Sequence, residues 1–265
     1  MFGRRVAAEA SAPAVRARNP RRLSLGAVAN AGTKIVCPTY TGLMSIVATS
    51  GLVIFDCDGV LVDSEGLGCG VVVAMLGELG YPMDFDEAVA FFKGRKMAEC
   101  VVDIERMLGR AVPEGFVPEF RARSADAFRR ELKAIPGVVQ ALDLISGLTC
   151  VASSGPMEKI RLSLGLTGLL PRFDGRLFSA YEVGIWKPDP GLFLHAAAAM
   201  GSKPEVCTVV EDSVPGVQAG VAAGMRVLGY AHSESEVEVL QGAGAQTFRS
   251  MAELPGLLRA VGIGN

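Results

Sequence analysis

The feature that most constrains this chain is segment 53–65, where a short apolar run ends in two closely spaced aspartates. Residues 53–55 are Val-Ile-Phe, which is typical of a buried strand, and Asp56-Cys57-Asp58-Gly59 follows at once. The glycine allows the chain to turn. In a parallel α/β sheet, functional side chains lie at the carboxyl ends of the strands. The segment therefore predicts an α/β fold with two carboxylates at one sheet edge.

This acidic pair favours metal-assisted chemistry. Asp56 and Asp58 repel each other unless a cation lies near them, and Mg²⁺ prefers oxygen ligands of this kind. One carboxylate can attack phosphorus while the other transfers a proton. An aspartate-rich turn after a strand is also ordinary loop chemistry. The interpretation therefore depends on whether partner residues follow along the chain.

A second strand pattern begins near residue 148 and ends at Ser153. The Ser153 hydroxyl and the backbone N–H groups of Ser154 and Gly155 have the composition of a small anion-binding site. By itself Ser-Ser-Gly is common in loops, but its place at a strand end favours a functional role.

Two further segments add a cation and a second acidic pair. Lys187 begins a Lys-Pro-Asp-Pro run, whose prolines restrict the local backbone and suit a lysine that acts as a point charge on phosphate. An apolar strand at 207–210 ends in Glu211 and Asp212. Alone, a lysine is usually a surface charge and an acidic pair often caps a helix.

Together these segments resemble the signature motifs of the haloacid dehalogenase superfamily of phosphohydrolases. The motifs D-x-D-G-x-L-x-D, a serine after the second strand, K-P-D-P and E-D-S-x-x-G occur in the family's order within residues 51–230. The resemblance implies a Rossmann-like parallel sheet and a phosphatase that uses Mg²⁺. It further implies that Asp56 forms an aspartyl-phosphate and that Asp58 is the general acid and base. The phosphoryl group is assigned to Ser153, Ser154 and Lys187, and the metal to Asp56, the Asp58 carbonyl, Asp212 and Glu211.

Residues 65–135 interrupt the predicted α/β core, which comprises 45–64 and 136–265. They show helical patterns at 67–79, 86–107 and 120–132 and no strand pattern. Such an insertion fits the all-helical cap domain of one subgroup of the superfamily. Family members place substrate-reading residues in segment 92–96, where Gly94, Arg95 and Lys96 stand, and its three cations, which include Lys93, suit a second anionic group such as a sugar-acid carboxylate. A solvated helix turn is the other interpretation of this segment.

The residues within these motifs resemble those of sugar-phosphate phosphatases, including those that act on 6-phosphogluconate. A sugar phosphomutase shares the same motifs and cap, but Gly68 stands where those mutases carry a cap-hinge histidine. A dehalogenase does not need Asp58. A phosphonate hydrolase needs a cap lysine, for which Lys93, Lys96 and Lys133 are available. A catalytically silent binding module is the fourth alternative, and the intact motifs argue against it.

Composition limits the partners. The 265 residues carry a formal net charge of −2, but residues 1–50 hold seven Lys/Arg and one acid, so the rest of the chain carries −8 and has no nucleic-acid footprint. The six cysteines form no C-x-x-C pair and only two histidines are present, which favours reduced core thiols over a zinc site. We expect a cytoplasmic monomer that binds a small phosphorylated molecule, Mg²⁺, no nucleic acid and no membrane.

The basic, acid-poor residues 1–44 have three interpretations. The first is a disordered or wrongly assigned extension, with Met44 as the functional start. The second is an organelle transit peptide, and the third is a twin-arginine export signal at Arg21-Arg22. The uncharged span 35–55 is long enough for a membrane helix, but its proline, glycines and hydroxyl residues argue against one.

Overall fold

The computed structural model describes residues 51–263, so the predictions for residues 1–44 lie outside it. Its centre is a six-stranded sheet in which every pairing is parallel, with the strand order β3-β2-β1-β4-β5-β6. The strands are β1 Leu52–Phe55, β2 Leu148–Ser153, β3 Leu177–Ser179, β4 Cys207–Glu211, β5 Arg226–Tyr230 and β6 Gln246–Phe248. This confirms the predicted Rossmann-like α/β class.

Strand β1 lies at the centre because it is apolar on both faces. All four of its residues are fully buried, and Phe55 pairs with Val151 of β2 on one side and with Val210 of β4 on the other. A parallel strand that is covered on both faces is expected to have such a continuous apolar run. The predicted strands that begin near residue 148 and at residue 207 are confirmed as β2 and β4, whereas the three-residue edge strand β3 gave no sequence pattern.

Helices cover both faces of the sheet. The core helices are α5 Val138–Asp143, α6 Met157–Leu166, α7 Ala180–Val183, α8 Gly191–Ala199, α9 Val214–Ala222, α10 Glu234–Ala243 and α11 Leu254–Ala260. Val53 and Phe55 pack with α5, α6 and α11, while Leu52 and Ile54 pack with α8, α9 and α10. This division follows from the alternation of side chains along a strand. Among residues 51–263, no helix is long and apolar enough to cross a membrane.

Of the five helices between β1 and β2, the first four form a unit that we call the cap. They are α1 Glu65–Glu78, α2 Phe85–Phe92, α3 Met97–Leu108 and α4 Phe116–Glu131. Their inward residues form a third apolar cluster, separate from the two clusters on the sheet. The two connections to the sheet run side by side, because Asp63 N–H donates to the Lys133 carbonyl and Ile135 N–H donates to that of Leu61, both at 3.0 Å.

The single helix predicted over 86–107 is wrong. The structure divides it into α2 and α3, which are separated by residues 93–96. Gly94 has a φ of 69°, a left-handed conformation that glycine adopts without strain and that an α-helix does not contain. The predicted helix over 120–132 begins earlier, at Phe116, because Pro118 lies within its first turn, where proline is tolerated.

The separate cap core predicts a position-dependent response to truncation in α3. Ile104 is fully buried, whereas Val102 on the same helix is 53% exposed. We expect Ile104→Ala to lower the free energy of unfolding by about 2–4 kcal/mol. The matched Val102→Ala is expected to change it by less than about 0.5 kcal/mol. Urea denaturation measures both, and equal effects would contradict the packing described here.

Candidate active site

The predicted functional residues come together because their strands are neighbours. Strands β2, β1 and β4 lie side by side, so the residues at their carboxyl ends, Ser153, Asp56 and Glu211, meet at one sheet edge. With Asp58, Ser154, Lys187, Asp212 and the cap residues Gly94, Arg95 and Lys96, they line one cavity of about 690 Å³. The structure thus brings together every site residue that the sequence predicted, and their chemical roles stay predictions.

Lys187 links two of these strands electrostatically. Its Nζ lies 2.5 Å from Asp56 Oδ1 and 2.5 Å from Glu211 Oε1, and its side chain is only 4% exposed. Burial favours neutral lysine, but the two carboxylates outweigh this effect and raise the pKa of Lys187. Burial raises the pKa of Asp56 well above its ordinary value, and the charge of Lys187 opposes that rise. Lys187 is therefore a fixed positive charge beside Asp56.

Glu211 holds this lysine and the loop that follows β4. Its Oε2 accepts hydrogen bonds of 2.9 Å from Asp212 N–H, Ser213 N–H and the Ser213 hydroxyl, while its Oε1 contacts Lys187. Both carboxylate oxygens are thus engaged by protein groups, which is a different set of partners from the metal shell predicted for Glu211. A Cβ at Gly216, in the first turn of α9, would overlap with this carboxylate.

Asp58 has its own cation and hydroxyl. The Ser64 hydroxyl donates to Asp58 Oδ1, and Lys159 Nζ lies 2.9 Å from the same oxygen. Burial by itself would raise the pKa of Asp58, but Lys159 and the Ser64 hydrogen bond outweigh burial and lower it. Sequence reasoning missed both partners. Ser64 stands beside the first motif, whereas Lys159 lies within α6 and gave no signal.

The serine turn after β2 is held by its own hydrogen bonds. Gly155 N–H donates to Ser153 Oγ at 3.0 Å, and the Ser179 hydroxyl donates to the Gly155 carbonyl at 2.7 Å. The expected pair of free N–H groups at Ser154 and Gly155 is therefore incomplete, because Gly155 N–H is used within the turn. Ser153 is buried beside Asp56, and Ser154 lines the cavity.

The acidic edge fits a hard divalent cation. Asp212 Oδ2 is buried and has no hydrogen-bond partner, although Lys93 Nζ and His232 Nε2 each lie 3.4 Å away. Gly59 leaves room beside Asp212, since a Cβ there would overlap with the carboxylate. No cluster of three His, Cys, Asp or Glu metal ligands occurs within residues 51–263. A cation at this edge would thus need backbone, water or substrate oxygens besides Asp56 and Asp212.

The predicted specificity segment of the cap lies over this edge. Ser213 Cβ is 3.3 Å from the place of a Cβ on Gly94, so a larger residue would press on the core loop. Arg95 pairs with Asp103 at 2.6 Å and lies over the Phe91 ring, whereas Lys96 Nζ lies 3.7 Å from the centre of the Trp186 ring. The two predicted cations therefore differ in their partners, because Arg95 pairs with a carboxylate whereas Lys96 contacts an aromatic ring.

Glu65 was not predicted as a site residue, and Lys93 was considered as a cap cation and as a Schiff-base lysine but not as a link between the cap and the core. Lys93 Nζ lies 3.0 Å from Glu236 Oε1 of α10, which ties the cap to the core. Glu65 lines the cavity, and its Oε2 is buried with no hydrogen-bond partner. Burial, together with the nearby charge of Asp212, raises the pKa of Glu65 to about 8. Glu65 directly follows Ser64, and this position next to the first motif is the sequence feature that could have identified it as a site residue.

The close approach of α9 to Glu211 gives a testable prediction. We expect Gly216→Ala to lower the free energy of unfolding by about 1–3 kcal/mol, because the added methyl group displaces the Glu211 carboxylate. In Gly77→Ala, a Cβ meets nothing within 4 Å on the exposed side of α1, and a small gain of up to about 1 kcal/mol is expected. Urea denaturation of both variants is the measurement, and a stable Gly216→Ala would refute the tight fit.

Comparison with known proteins agrees with this geometry. The family model of haloacid dehalogenase-like hydrolases matches residues 51–224. The chain is 39% identical to 6-phosphogluconate phosphatase of Escherichia coli K12 over 212 residues, which are 79% of this chain and 95% of that protein. It is 29% identical to a phosphorylated carbohydrates phosphatase of Thermotoga maritima over 79% of this chain and 98% of the relative.

Solved structures show the same fold. A conserved haloacid dehalogenase-like protein from Agrobacterium tumefaciens has a TM-score of 0.71 at 34% identity, covering 79% of this chain and 98% of its own. A haloacid dehalogenase family hydrolase from Deinococcus radiodurans, crystallised with phosphate and sodium, has a TM-score of 0.66 at 29% identity, covering 81% and 97%. These matches confirm the predicted phosphatase class. The chain belongs to the haloacid dehalogenase-like hydrolase family.

Proposed function

We propose that this chain is a Mg²⁺-dependent phosphomonoesterase that hydrolyses a small sugar phosphate or sugar-acid phosphate, such as 6-phosphogluconate, through an aspartyl-phosphate. The observation that carries the proposal is the contrast between two neighbouring carboxylates. Asp56 faces the buried ammonium group of Lys187, whereas Asp58 is held by Ser64 and Lys159. Two carboxylates in different environments suit two chemical roles. Burial raises the pKa of Asp56, so its attack as a carboxylate depends on Lys187 and on a bound cation, because positive charge favours the ionised form.

In the first step Asp56 attacks phosphorus, so a new carboxylate-oxygen–phosphorus bond forms as the bond to the leaving oxygen breaks. Asp58 gives its proton to that leaving oxygen. Asp58 has a lowered pKa without substrate, but an approaching phosphate ester adds negative charge beside it, and like charge favours the protonated form. In this proposal Lys187 and Ser153 contact the phosphoryl oxygens, and Mg²⁺ would supply further positive charge when it is bound.

In the second step Asp58 takes a proton from water, and the water oxygen attacks phosphorus. The bond between Asp56 and phosphorus breaks, which releases inorganic phosphate and restores both carboxylates. The cap excludes bulk water while this occurs, and the Lys93–Glu236 ion pair holds it against the core. The division of the chain at 65–135 into a separate cap domain is part of this proposal.

The substrate class rests on the relatives and on the cavity. Two relatives that match most of this chain are named for 6-phosphogluconate and for phosphorylated carbohydrates. The cavity extends from Asp56 to the cap helices α1 and α4 and provides space for a leaving group of sugar size. This combination favours a small carbohydrate ester over a phosphoprotein.

A sugar phosphomutase is the second candidate. Gly68 lines the cavity but carries no titratable side chain, and the two histidines lie outside the cap. His195 packs on the Phe178 ring, and His232 lies beside Asp212.

A phosphonate hydrolase is disfavoured as well. Lys93 forms ion pairs with Glu236 at 3.0 Å and with Asp212 at 3.4 Å, which occupy its ammonium group. Burial would lower the pKa of Lys93, but Asp212, Glu65 and Glu236 together raise it.

Phosphate release from 6-phosphogluconate and neutral sugar phosphates, with Mg²⁺ and with EDTA, tests the proposal. We expect turnover only with Mg²⁺ and a loss of at least about 10³-fold in Asp56→Asn, because the nucleophile is removed. Asp174→Asn, which changes an exposed aspartate outside the cavity, is the matched control and should retain full activity.

Turnover that persists in Asp56→Asn would contradict the proposed nucleophile. Isomerisation of β-glucose 1-phosphate without net phosphate release would favour the mutase. Silence in both assays, with a correctly folded protein, would favour a binding module.

A further inference from the structure

The positive charges of the cavity divide into two groups. Seven lysine and arginine side chains line it. Five of them form ion pairs with carboxylates of this chain, namely Lys93, Arg95, Arg129, Lys159 and Lys187. Within residues 51–263 the other two, Lys96 and Arg121, have no carboxylate partner. Their charge is therefore available to a ligand.

These two cations are nevertheless held in place by aromatic rings of the core. Arg121, on the cap helix α4, lies 5.4 Å from the centre of the Tyr181 ring and donates a hydrogen bond of 3.3 Å to the Tyr181 hydroxyl. Lys96 Nζ lies 3.7 Å from the centre of the Trp186 ring. The Tyr181 and Trp186 rings contact each other edge to face at 5.3 Å. The four side chains form one continuous wall that runs from the cap to the core.

Stacking on a ring fixes a cation without using its hydrogen-bond donors. A guanidinium group has five N–H donors and an ammonium group has three. Of these, Arg121 uses one toward Tyr181, and Lys96 uses none in the described structure. The remaining donors suit an oxyanion, and a planar guanidinium group binds a carboxylate in bidentate fashion.

The wall and the phosphate site share one cavity. Lys96, Arg121 and Tyr181 line it together with Asp56 and Lys187. Trp186, whose ring contacts Lys96, directly precedes Lys187 in the chain. An ester bound with its phosphate at Lys187 can therefore present its leaving group to Lys96 and Arg121 within the same cavity.

We propose that Arg121, assisted by Lys96, binds a second anionic group at the far end of the substrate, which makes the enzyme selective for sugar-acid phosphates over neutral sugar phosphates. This inference rests on the proposed phosphatase function and deepens it. It also changes which cap residues are expected to determine substrate specificity. Arg95 is already paired with Asp103, so Arg121 takes the place that the sequence interpretation gave to Arg95.

A pair of substrates that differ at one end tests this directly. 6-Phosphogluconate ends in a carboxylate, whereas glucitol 6-phosphate has the same carbon chain and ends in an uncharged alcohol. We expect Arg121→Met to raise KM and lower kcat/KM for 6-phosphogluconate by about 10- to 50-fold, the effect of losing a charge-assisted bidentate contact. For glucitol 6-phosphate the change is expected to stay below about twofold.

Three further variants sharpen the result. Lys96→Met should also lower kcat/KM selectively for 6-phosphogluconate, but by a smaller factor than Arg121→Met. Arg121→Lys keeps the charge without the planar fork and should fall between wild type and Arg121→Met. The matched control is Arg129→Met, which removes a cavity-lining arginine from the same helix that already has Asp126 as its partner. In this control kcat/KM should change little, and by about the same factor, for both substrates. Thermal unfolding shows whether each variant is folded.

Different results overturn different claims. An equal loss on both substrates would show that Arg121 supports the fold of the wall and does not read the anion. No loss on either substrate, or a wild-type enzyme that prefers glucitol 6-phosphate, would refute the anion site and leave the phosphatase proposal intact. A folded wild-type protein that releases phosphate from no ester would refute the phosphatase proposal and this inference with it.

Discussion

The buried ion pair network around Lys187 is the interaction on which the rest of the site depends. One ammonium group lies 2.5 Å from Asp56 at the end of β1 and 2.5 Å from Glu211 at the end of β4. Removing a single partner from such a network leaves an uncompensated buried charge, which is strongly unfavourable. Glu211 in turn anchors the loop that carries Asp212, so the position of the proposed metal ligand follows from the same network.

The cap completes the site through charge as well as shape. Lys93 reaches across to Glu236 and lies near Asp212, while Lys96 and Arg121 stack on aromatic rings of the core. The first contact links the cap to the core beside Asp212, and the second pair leaves positive charge in the cavity, because both cations line it. In our account the core therefore sets the reaction and the cap selects the leaving group, which is the division expected when one fold hosts many substrates.

Sequence reasoning predicted the sheet and the chemistry-bearing strand ends because both depend on local patterns. An apolar run followed by Asp56 or Glu211 can be read without knowing what packs beside it. It missed Lys159, whose role arises only when α6 brings it to Asp58, and it assigned Glu211 to the metal without its lysine. It also named Arg95 and did not consider Arg121, because only the folded chain shows which arginine already has an acid partner.

The central claim is that Asp56 becomes phosphorylated during turnover. The most direct measurement is an acid quench of Asp58→Asn with p-nitrophenyl phosphate and Mg²⁺, followed by mass spectrometry of its peptides. Nitrophenolate leaves without a proton from Asp58, so this variant can still form the intermediate. It lacks the base that activates water, so the covalent intermediate should accumulate. Our account predicts a hydroxylamine-sensitive phosphoryl group on the peptide that contains Asp56. A phosphoryl group on any other residue, or phosphate release from this variant with no covalent adduct, would contradict it.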